Sequence, residues 1–381
     1  MWCILSRACL LWMWVLALGA GLRAQHVMVR DPLPVPDIPG YRTLKGDFHT
    51  HTVFSDGELW PTLRAWEAWR DGLDVLAMTD HADSQPHAPD VVSDLARPYA
   101  LARDLASQLG LILIQGIELG HGDSHWNALF VTDPNALRGK LELSEALRRA
   151  RVQGAFVFWN HPGWQGKLAW APGIDSMHRQ GLFQGIELVN GDTVYPEAFP
   201  WHEEKGLTLL ANSDVHRTSV TRKRTITLLF VHSPDADGVR EALFAGRTAA
   251  WVGGEVYGSE EYLRGLWQEA VKAETRDLTW NLEGRHPNLL LRNHSAVPFR
   301  FKVLRVSARN SEQENEGWFQ SYPGELPAES VAPLQIGVSR EAPLGWSNAE
   351  LELEVTNLHT GPGKNLVVRL PIRINLKREG R

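Results

Sequence analysis

Residues 44–51 read LKGDFHTH, an apolar strand pattern that ends on two histidines. Residues two apart in a strand point to the same side, so His49 and His51 can share one metal ion. Further apolar runs downstream end on the same kinds of side chain, in TDH, GIEL, NHP and SDVH. Imidazole and carboxylate groups at successive strand ends predict a site for ions such as Zn, Fe or Mn.

From residue 43 to about residue 251, short apolar runs alternate with amphipathic stretches, a pattern typical of strand–helix units. Helices are predicted over residues 61–71, 95–109, 144–151, 196–205 and 237–245. This number of units favours an α/β barrel of the TIM type, or a distorted relative of it, over an open sheet. The strand ends of such a barrel converge on one face, so ligands far apart in sequence can meet there.

The pattern changes beyond Gly253. One amphipathic helix is followed by alternating strands that Pro, Gly and Asn turns separate, which predicts a small β-sandwich-like domain. The predicted division is a barrel over residues 25–255, a linking helix over 256–275 and a β-rich domain over 276–381. The last of these contains no clustered acids or ligand pairs in its sequence, so no catalytic role is assigned to it.

The first 24 residues have the features of a secretory signal that is removed: a cationic start, an apolar run and a final small residue. The apolar run is shorter than the roughly 20 residues of a spanning helix, so the mature chain is expected to be periplasmic or secreted, without a membrane span. Cys3 and Cys9 both lie in this segment, which excludes disulfides, thiolate ligands and a cysteine nucleophile from the mature chain. A net charge of −6 without a long basic run predicts no nucleic-acid partner.

Nine side chains in the motifs are candidate ligands, more than the four that one structural zinc ion needs. They are His49, His51, Asp56, His81, Glu118, His125, His161, Asp214 and His216. Glu118 is predicted to bridge two ions with its two oxygens. The predicted first ion has His49, His51 and Asp214, the second His125 and His161, and the third Asp56, His81 and His216. Asp47 and Asp80, which lie beside ligands, are expected to accept hydrogen bonds from the ligand imidazoles.

Other polar and aromatic residues near the motifs are candidates for substrate contacts. His121 is an alternative ligand to His125, but His125 opens an apolar strand and is preferred. Arg217 follows the last ligand and is predicted to bind a phosphate oxygen, although a solvated loop explains it equally well. The solvated interpretation is favoured for Arg224. Core packing is the default for tryptophan, and Trp164 is chosen as the one that contacts an apolar part of the substrate.

Taken together, the motifs DFHTH, SDG, TDH, GIEL, SHWNALF, NHPGW and SDVH resemble the PHP (polymerase and histidinol phosphatase) metallophosphoesterases. Within that superfamily, the wording of SDGELWPTLRAWEAWRDGLD, SHWNALF and NGDTVYPEA is most similar to the secreted Sb-PDE-like phosphodiesterases. The resemblance covers residues 43–255 and implies a distorted (β/α)7 barrel that holds two or three divalent ions. The polar residues GHGDSH at 120–125 depart from the pattern of that subgroup.

The predicted function is a secreted, metal-dependent phosphodiesterase with a small-molecule substrate. Paired divalent ions can activate a hydroxide for attack on a phosphoryl group, and Asp214 is predicted to orient it and to take its proton, with Glu118 as the bridge. A phosphomonoesterase and a carboxylic or carbamic ester metallohydrolase are alternatives. An alternative of another class is a polymer-binding module on a degenerate barrel.

Overall fold

The computed structural model describes residues 29–122, 124–139, 141–164, 166, 169–219, 224–281, 289–310, 313–314, 319–321, 323–338 and 344–378. The predicted signal segment, residues 1–24, lies outside the described residues. None of the described helices combines the length and the apolar character that crossing a membrane requires.

Seven α-helices lie within the described ranges. They are α1 (Pro61–Arg70), α2 (Arg97–Leu109), α3 (Leu143–Val152), α4 (Pro172–Arg179), α5 (Ala198–Lys205), α6 (Ala236–Phe244) and α7 (Glu260–Ala270). Pro61 and Pro172 lie in the first turns of α1 and α4, where a missing backbone N–H leaves no helical hydrogen bond unmade. Gly110 ends α2 with a φ of 68°, a left-handed cap that glycine adopts without strain. The short helix α4 is absent from the sequence-based predictions.

The N-terminal strands pair in both parallel and antiparallel directions. They are β1 (Arg42–Asp47), β2 (Val75–Met78), β3 (Ile112–His121), β4 (Ser124–Leu129), β5 (Phe156–Trp159), β6 (Gly185–Asn190), β7 (Thr193–Val194), β8 (Thr208–Asn212), β9 (Ile226–Val231), β10 (Thr248–Val252) and β11 (Glu255–Gly258). β1, β2 and β3 pair in parallel, as do β5, β6 and β8. β4 lies between these groups and is antiparallel to β3 and β5, because the turn before it is too short for a crossover helix.

The chain after β8 returns to the end of β1. A parallel bridge joins Thr50 to Val215, and the backbone N–H of Asp214 donates to the carbonyl of His49 at 2.9 Å. The side chain of Asn212 accepts a hydrogen bond from the N–H of Phe48 at 2.9 Å. The residues that follow the parallel strands therefore face one common volume, and the predicted α/β fold class is confirmed, with β4 as its distortion.

The C-terminal part is built from strands. They are β12 (Val271–Ala273), β13 (Asp277–Asn281), β14 (Leu289–Asn293), β15 (Phe299–Asn310), β16 (Gln313–Glu314), β17 (Phe319–Ser321), β18 (Gly324–Leu326), β19 (Val331–Leu334), β20 (Ile336–Val338), β21 (Gly345–Gly361) and β22 (Lys364–Lys377). One sheet has the order β13–β22–β21–β15–β18, and a second has β12–β14–β19, as a sandwich-like domain requires. The predicted linking segment, 256–275, contains α7 but begins inside β11.

Buried apolar side chains from both parts share one core. Leu228 and Phe230 of β9 belong to the same cluster as Phe299 of β15 and Leu351 of β21. Trp267 of α7 is buried in this cluster and contacts the ring of Phe299 edge-on, with 5.1 Å between centroids. In addition, β11 pairs in parallel with β21. The C-terminal part therefore covers apolar surface of the N-terminal part.

Candidate metal centre

A cavity of about 350 Å³ opens where the parallel strands end. It is lined by Asp56, His81, Asp83, Ser84, Glu118, His125, His161, Trp164, Asp214 and His216. His49 and His51 lie beneath its floor, fully buried. All nine predicted ligand residues are thus brought together, from segments that are up to 167 residues apart in the sequence.

The innermost donor atoms face one another without hydrogen-bond partners. His49 Nε2 lies 3.2 Å from both Glu118 Oε2 and Asp214 Oδ1. His51 Nε2 lies 3.2 Å and 3.0 Å from the same two oxygens. Within the described part, none of these four buried atoms makes a hydrogen bond. Donors that share one ion at about 2.0–2.2 Å lie about 3 Å apart, so this set fits a divalent metal ion.

The remaining ligands extend the centre on two sides. His125 Nδ1 lies 3.0 Å from Glu118 Oε1, and His161 Nε2 lies 3.5 Å from the same oxygen. His216 Nε2 lies 3.2 Å from Asp56 Oδ1. Four overlapping groups have donors close enough to hold an ion: His49, His51 and Asp214; His49, Glu118 and His161; His81, Glu118 and His125; and His51, Asp56, His81 and His216.

This grouping differs in detail from the predicted one. His125 and His161 are separated into two groups that share Glu118, and His51 joins the group around Asp56. Glu118 belongs to two of the four groups, which agrees with the bridging role predicted for it.

Glu187 holds the imidazole of His49, a role that the sequence reasoning assigned to Asp47 or Asp80. Glu187 Oε1 lies 3.0 Å from His49 Nδ1 and accepts from Asn212 Nδ2 at 2.9 Å. Its other oxygen accepts from the backbone N–H of His161 at 2.7 Å. The sequence contains a signal for this residue, because residues 185–188 repeat the GIEL of residues 116–119. Strands β3 and β6 thus each carry a glutamate as the third residue of the same motif.

Asp47 does not contact an imidazole of the centre. It accepts from Ser213 Oγ at 2.5 Å and from the backbone N–H of Ser213 at 3.1 Å, and it pairs with Arg224 Nη1 at 3.2 Å. Because Ser213 precedes Asp214, Asp47 positions the chain that carries this ligand. The prediction of a direct hydrogen bond to a ligand ring is wrong for Asp47.

Asp80 also acts through other residues. It accepts from the backbone N–H of Thr52 at 2.7 Å and from Ser55 Oγ at 2.7 Å. Ser55 Oγ in turn lies 3.3 Å from His51 Nδ1. Asp80 therefore reaches the imidazole of His51 only by way of a hydroxyl group, and the direct bond predicted for it is not present.

Two of the ligand residues have left-handed backbone conformations. The φ of His161 is 24° and that of Asp214 is 51°. Such conformations are costly for residues other than glycine and are concentrated at functional sites. The bond from the N–H of His161 to Glu187 and the bond from the N–H of Asp214 to the carbonyl of His49 hold them in place.

The imidazoles and carboxylates of the centre shift one another's pKa. Burial alone lowers the pKa of His49, but Asp214 and Glu118 outweigh it and hold the pKa well above its ordinary value. Burial lowers the pKa of His51 too, and the same two carboxylates, Asp214 and Glu118, raise it to about 9. Burial also raises the pKa of Glu118 and Asp214, yet the facing imidazoles hold both well below the ordinary range. Protons here occupy the place that divalent cations would take.

Neither Arg217 nor Arg224 is among the described residues that line the cavity. Arg217, a predicted substrate contact, has 82% of its side chain exposed and its Nε pairs with Glu58 Oε1 at 3.0 Å, so its contact with substrate stays a prediction. Arg224 is buried rather than solvated, and pairs with Glu67 and Asp71 in addition to Asp47. Its guanidinium thereby links α1 to β1 through ion pairs.

Arg64, which no sequence signal distinguished, ties two ligand segments together. Its guanidinium is fully buried and donates to the carbonyls of His51, His216 and Arg217, each at 3.1 Å. In the sequence, Arg64 looks like an ordinary exposed residue of a short helix. Burial of an arginine requires such a full set of partners.

Trp164 lies at the cavity, as predicted. Its ring centroid is 5.5 Å from that of His125 and 5.4 Å from that of His161, and 56% of the residue is exposed. Trp126 and Trp159 instead stack on each other in the core, with 5.5 Å between centroids. The sequence near the ligands thus contains one tryptophan that is exposed at the cavity and others that pack in the core.

Comparison with known proteins gives an extensive match. A crystal structure of a two-domain protein from Bacteroides vulgatus ATCC 8482, containing a predicted PHP-like metal-dependent phosphoesterase, is 34% identical in sequence; the match covers 90% of this chain and 99% of that chain with a TM-score of 0.79. No protein-family model matches.

Two further matches are partial. An uncharacterised protein from Methanocaldococcus jannaschii is 36% identical over 80 residues, or 20% of this chain, and the chain spans only 34% of that protein. A predicted metal-dependent phosphoesterase from Bifidobacterium adolescentis ATCC 15703 is 18% identical over 53% of this chain and 96% of that chain, with a TM-score of 0.37. So low a structural likeness carries no argument.

Proposed function

Because the chain belongs to the PHP-like metal-dependent phosphoesterases, we propose that it hydrolyses phosphate diesters with two or three divalent ions. The ions fit the centre because its innermost ring nitrogens and carboxylate oxygens are buried, mutually close and otherwise unpartnered. When bound, such ions supply Lewis acidity and lower the pKa of a coordinated water molecule.

One observation supports a diester over a monoester. Among the residues described for the cavity wall, no Lys or Arg is present. A monoester carries nearly two negative charges at neutral pH, and its terminal oxygens usually require dedicated cationic contacts. A diester carries one charge and presents a second organic group, for which the exposed ring of Trp164 offers apolar surface. The likeness of the motifs to Sb-PDE-like enzymes also favours a diester.

The residues of the chain have separable roles in this proposal. Glu118 holds the ligand groups on either side of it together. Asp214 directs Oδ1 toward His49 and His51, while its Oδ2 accepts from Asn190 Nδ2 at 3.3 Å. The carboxylate thereby faces the two innermost histidines, where it can orient an attacking water and receive its proton. His161 and Trp164 form the wall against which the ester is placed.

Steady-state kinetics on p-nitrophenyl phosphate and methyl p-nitrophenyl phosphate test this proposal, with Mn, Zn and Fe in turn. We expect kcat/KM to be higher for the diester, and activity to be lost with a chelator. A preference for the monoester of tenfold, about 1.4 kcal/mol in transition-state stabilisation, would contradict it. p-Nitrophenyl acetate in the same assay tests the carboxylic ester alternative, and a purified protein without metal would favour the binding module.

We also propose that residues 1–24 are removed on export. The expected result is a mature N-terminus after Ala24, read by mass spectrometry of the protein recovered outside the cytoplasm. A cytoplasmic protein that retains Met1 to Ala24 would contradict this.

A further inference from the structure

The cavity contains one carboxylate that the metal groups do not use. Asp83 lines it but belongs to none of the four groups that could hold an ion. Among the described residues its carboxylate has no hydrogen bond and no ion pair. Asp83 is exposed at the cavity and lies close enough to His125 for their charges to interact. Its negative charge can attract a positively charged group of a substrate.

The position of Asp83 depends on a glycine. A Cβ atom on Gly120 would lie 2.6 Å from Asp83 Oδ2, so the carboxylate occupies the space that any other side chain there would fill. Gly120 pairs with His125 in the ladder between β3 and β4. The carboxylate therefore lies against the backbone of β3, beside the ligands, on the exposed side of the cavity.

Trp164 provides the second element of the same wall. Its edge contacts to His125 and His161 leave more than half of the residue exposed at the cavity. An aromatic face attracts a cation, and attracts most strongly one whose surface is partly apolar, such as a quaternary ammonium group. With Asp83 on the same cavity and no cationic side chain among its described lining, the wall matches an ammonium group in both charge and surface.

From this arrangement we infer that the preferred substrate is a zwitterionic phosphate diester, in which one ester alcohol carries an ammonium group that binds between Asp83 and Trp164. The inference rests on the proposed phosphodiesterase function and names its substrate class. Hydrolysis forms a bond between phosphorus and the water oxygen and breaks the bond between phosphorus and the oxygen of the leaving alcohol. One proton of the water ends on that leaving oxygen. The ammonium group is not changed in the reaction and serves recognition alone.

The test uses two aryl diesters of the same shape. p-Nitrophenyl phosphorylcholine carries a trimethylammonium group, and p-nitrophenyl 3,3-dimethylbutyl phosphate replaces its nitrogen with carbon. We expect kcat/KM for the charged ester to exceed that for the neutral one by about tenfold in the metal-loaded wild-type protein. The ratio should fall toward one in Asp83→Asn and should also fall in Trp164→Leu.

A matched control removes the same charge elsewhere. Asp104 on α2 has 79% of its side chain exposed and pairs only with the neighbouring Arg103 in the described contacts. Asp104→Asn should therefore keep the wild-type ratio. Metal content is measured for each variant, since an equal loss of both activities together with metal would mean that Asp83 supports the centre and would overturn the inference.

The outcomes separate the two proposals. A wild-type ratio at or below one, or a ratio unchanged in Asp83→Asn, overturns the zwitterion inference, while turnover of the neutral diester leaves the phosphodiesterase proposal intact. If the metal-loaded protein cleaves neither diester but hydrolyses p-nitrophenyl phosphate, the phosphodiesterase proposal fails and the inference fails with it.

Discussion

At the scale of single residues, Glu187 ties several parts of the metal centre together from outside the ligand set. It holds the imidazole of His49, the backbone of His161 and the side chain of Asn212 at once. Partners of this kind fix the orientation of a ligand ring, and their loss typically weakens metal binding about 10- to 100-fold.

Replacing Glu187 by Gln should therefore weaken metal binding about 10- to 100-fold, because one of its two acceptor oxygens becomes a donor. Competition with a metal-sensitive chelating dye measures the affinity directly. Glu197→Gln, an exposed position before α5, is the matched control and should bind metal as the wild type does. An affinity in Glu187→Gln within twofold of wild type would show that His49 is oriented without it.

His51 makes the stability of the metal-free protein depend on pH. Its folded pKa of about 9 lies above the ordinary value of 6.5, so the protonated ring stabilises the fold fully below about pH 6.5, and this contribution is lost as the pH rises through about 9. In the metal-loaded protein the ring is a neutral ligand, and metal binding strengthens as the pH rises. We expect Tm of the chelator-treated protein to fall between pH 6.5 and 9, with no parallel fall after metal loading. Curves of Tm against pH that run in parallel with and without metal would contradict the raised pKa assigned to His51.

At the scale of elements, the turn between β1 and α1 is shaped by a close backbone approach. A Cβ on Gly57 would lie 2.6 Å from the carbonyl carbon of His51 and 2.7 Å from the N of Thr52. This spacing explains why SDG is needed after HTH: only glycine lets the turn bring Asp56 back toward the histidines. Asp56 belongs to one metal group alone, whereas Glu118 belongs to two.

Asp56→Ala should accordingly remove about one ion per chain and leave the others, and Glu118→Ala should remove more. Gly57→Ala should behave like Asp56→Ala and should also lower Tm, because backbone atoms must move. Gly173→Ala in α4, where a Cβ meets nothing within 4 Å, is the control; it should keep the wild-type metal content and should not lower Tm. Elemental analysis of the four purified variants decides the matter. Full occupancy in Gly57→Ala would contradict the packing argument.

The elements also show where sequence patterns have limits. The strand ends carrying His49, His81 and Glu118 were predictable because apolar runs lead directly into polar motifs. The direction of β4 was not, since an apolar run reads the same in both directions and the polar turn before it resembles any surface loop. Arg217 shows a further limit, because a basic residue next to a ligand does not reveal where its side chain points; here it pairs with Glu58 at the surface.

At the scale of the whole molecule, the fold class followed from the strand–helix pattern, but the joint core did not. The sequence predicted two domains and left open whether they pack together; Trp267, Phe299 and Phe230 lie in one cluster that crosses between the two parts. Contacts between distant segments leave no local signature. For the same reason, no motif distinguished Arg64, and the repeated GIEL was the one signal for Glu187.

A shared core predicts that the two parts unfold together. Trp267→Ala should lower the free energy of unfolding by about 3–5 kcal/mol, because it leaves a cavity beside Phe299. It should leave the metal content of the folded protein unchanged, since α7 does not touch the cavity among the described lining residues. Urea unfolding followed by fluorescence and circular dichroism tests this. Two separate transitions would indicate that the parts are independent.

The central claim is that one centre of several metal ions hydrolyses a phosphate diester. Stepwise titration of the chelator-treated protein with Mn, followed by turnover of methyl p-nitrophenyl phosphate and by elemental analysis at each step, tests it most directly. We predict that activity continues to rise beyond the first equivalent and reaches its maximum at two to three ions per chain. Full activity at a single ion per chain, or no diester turnover at full occupancy, would contradict the account.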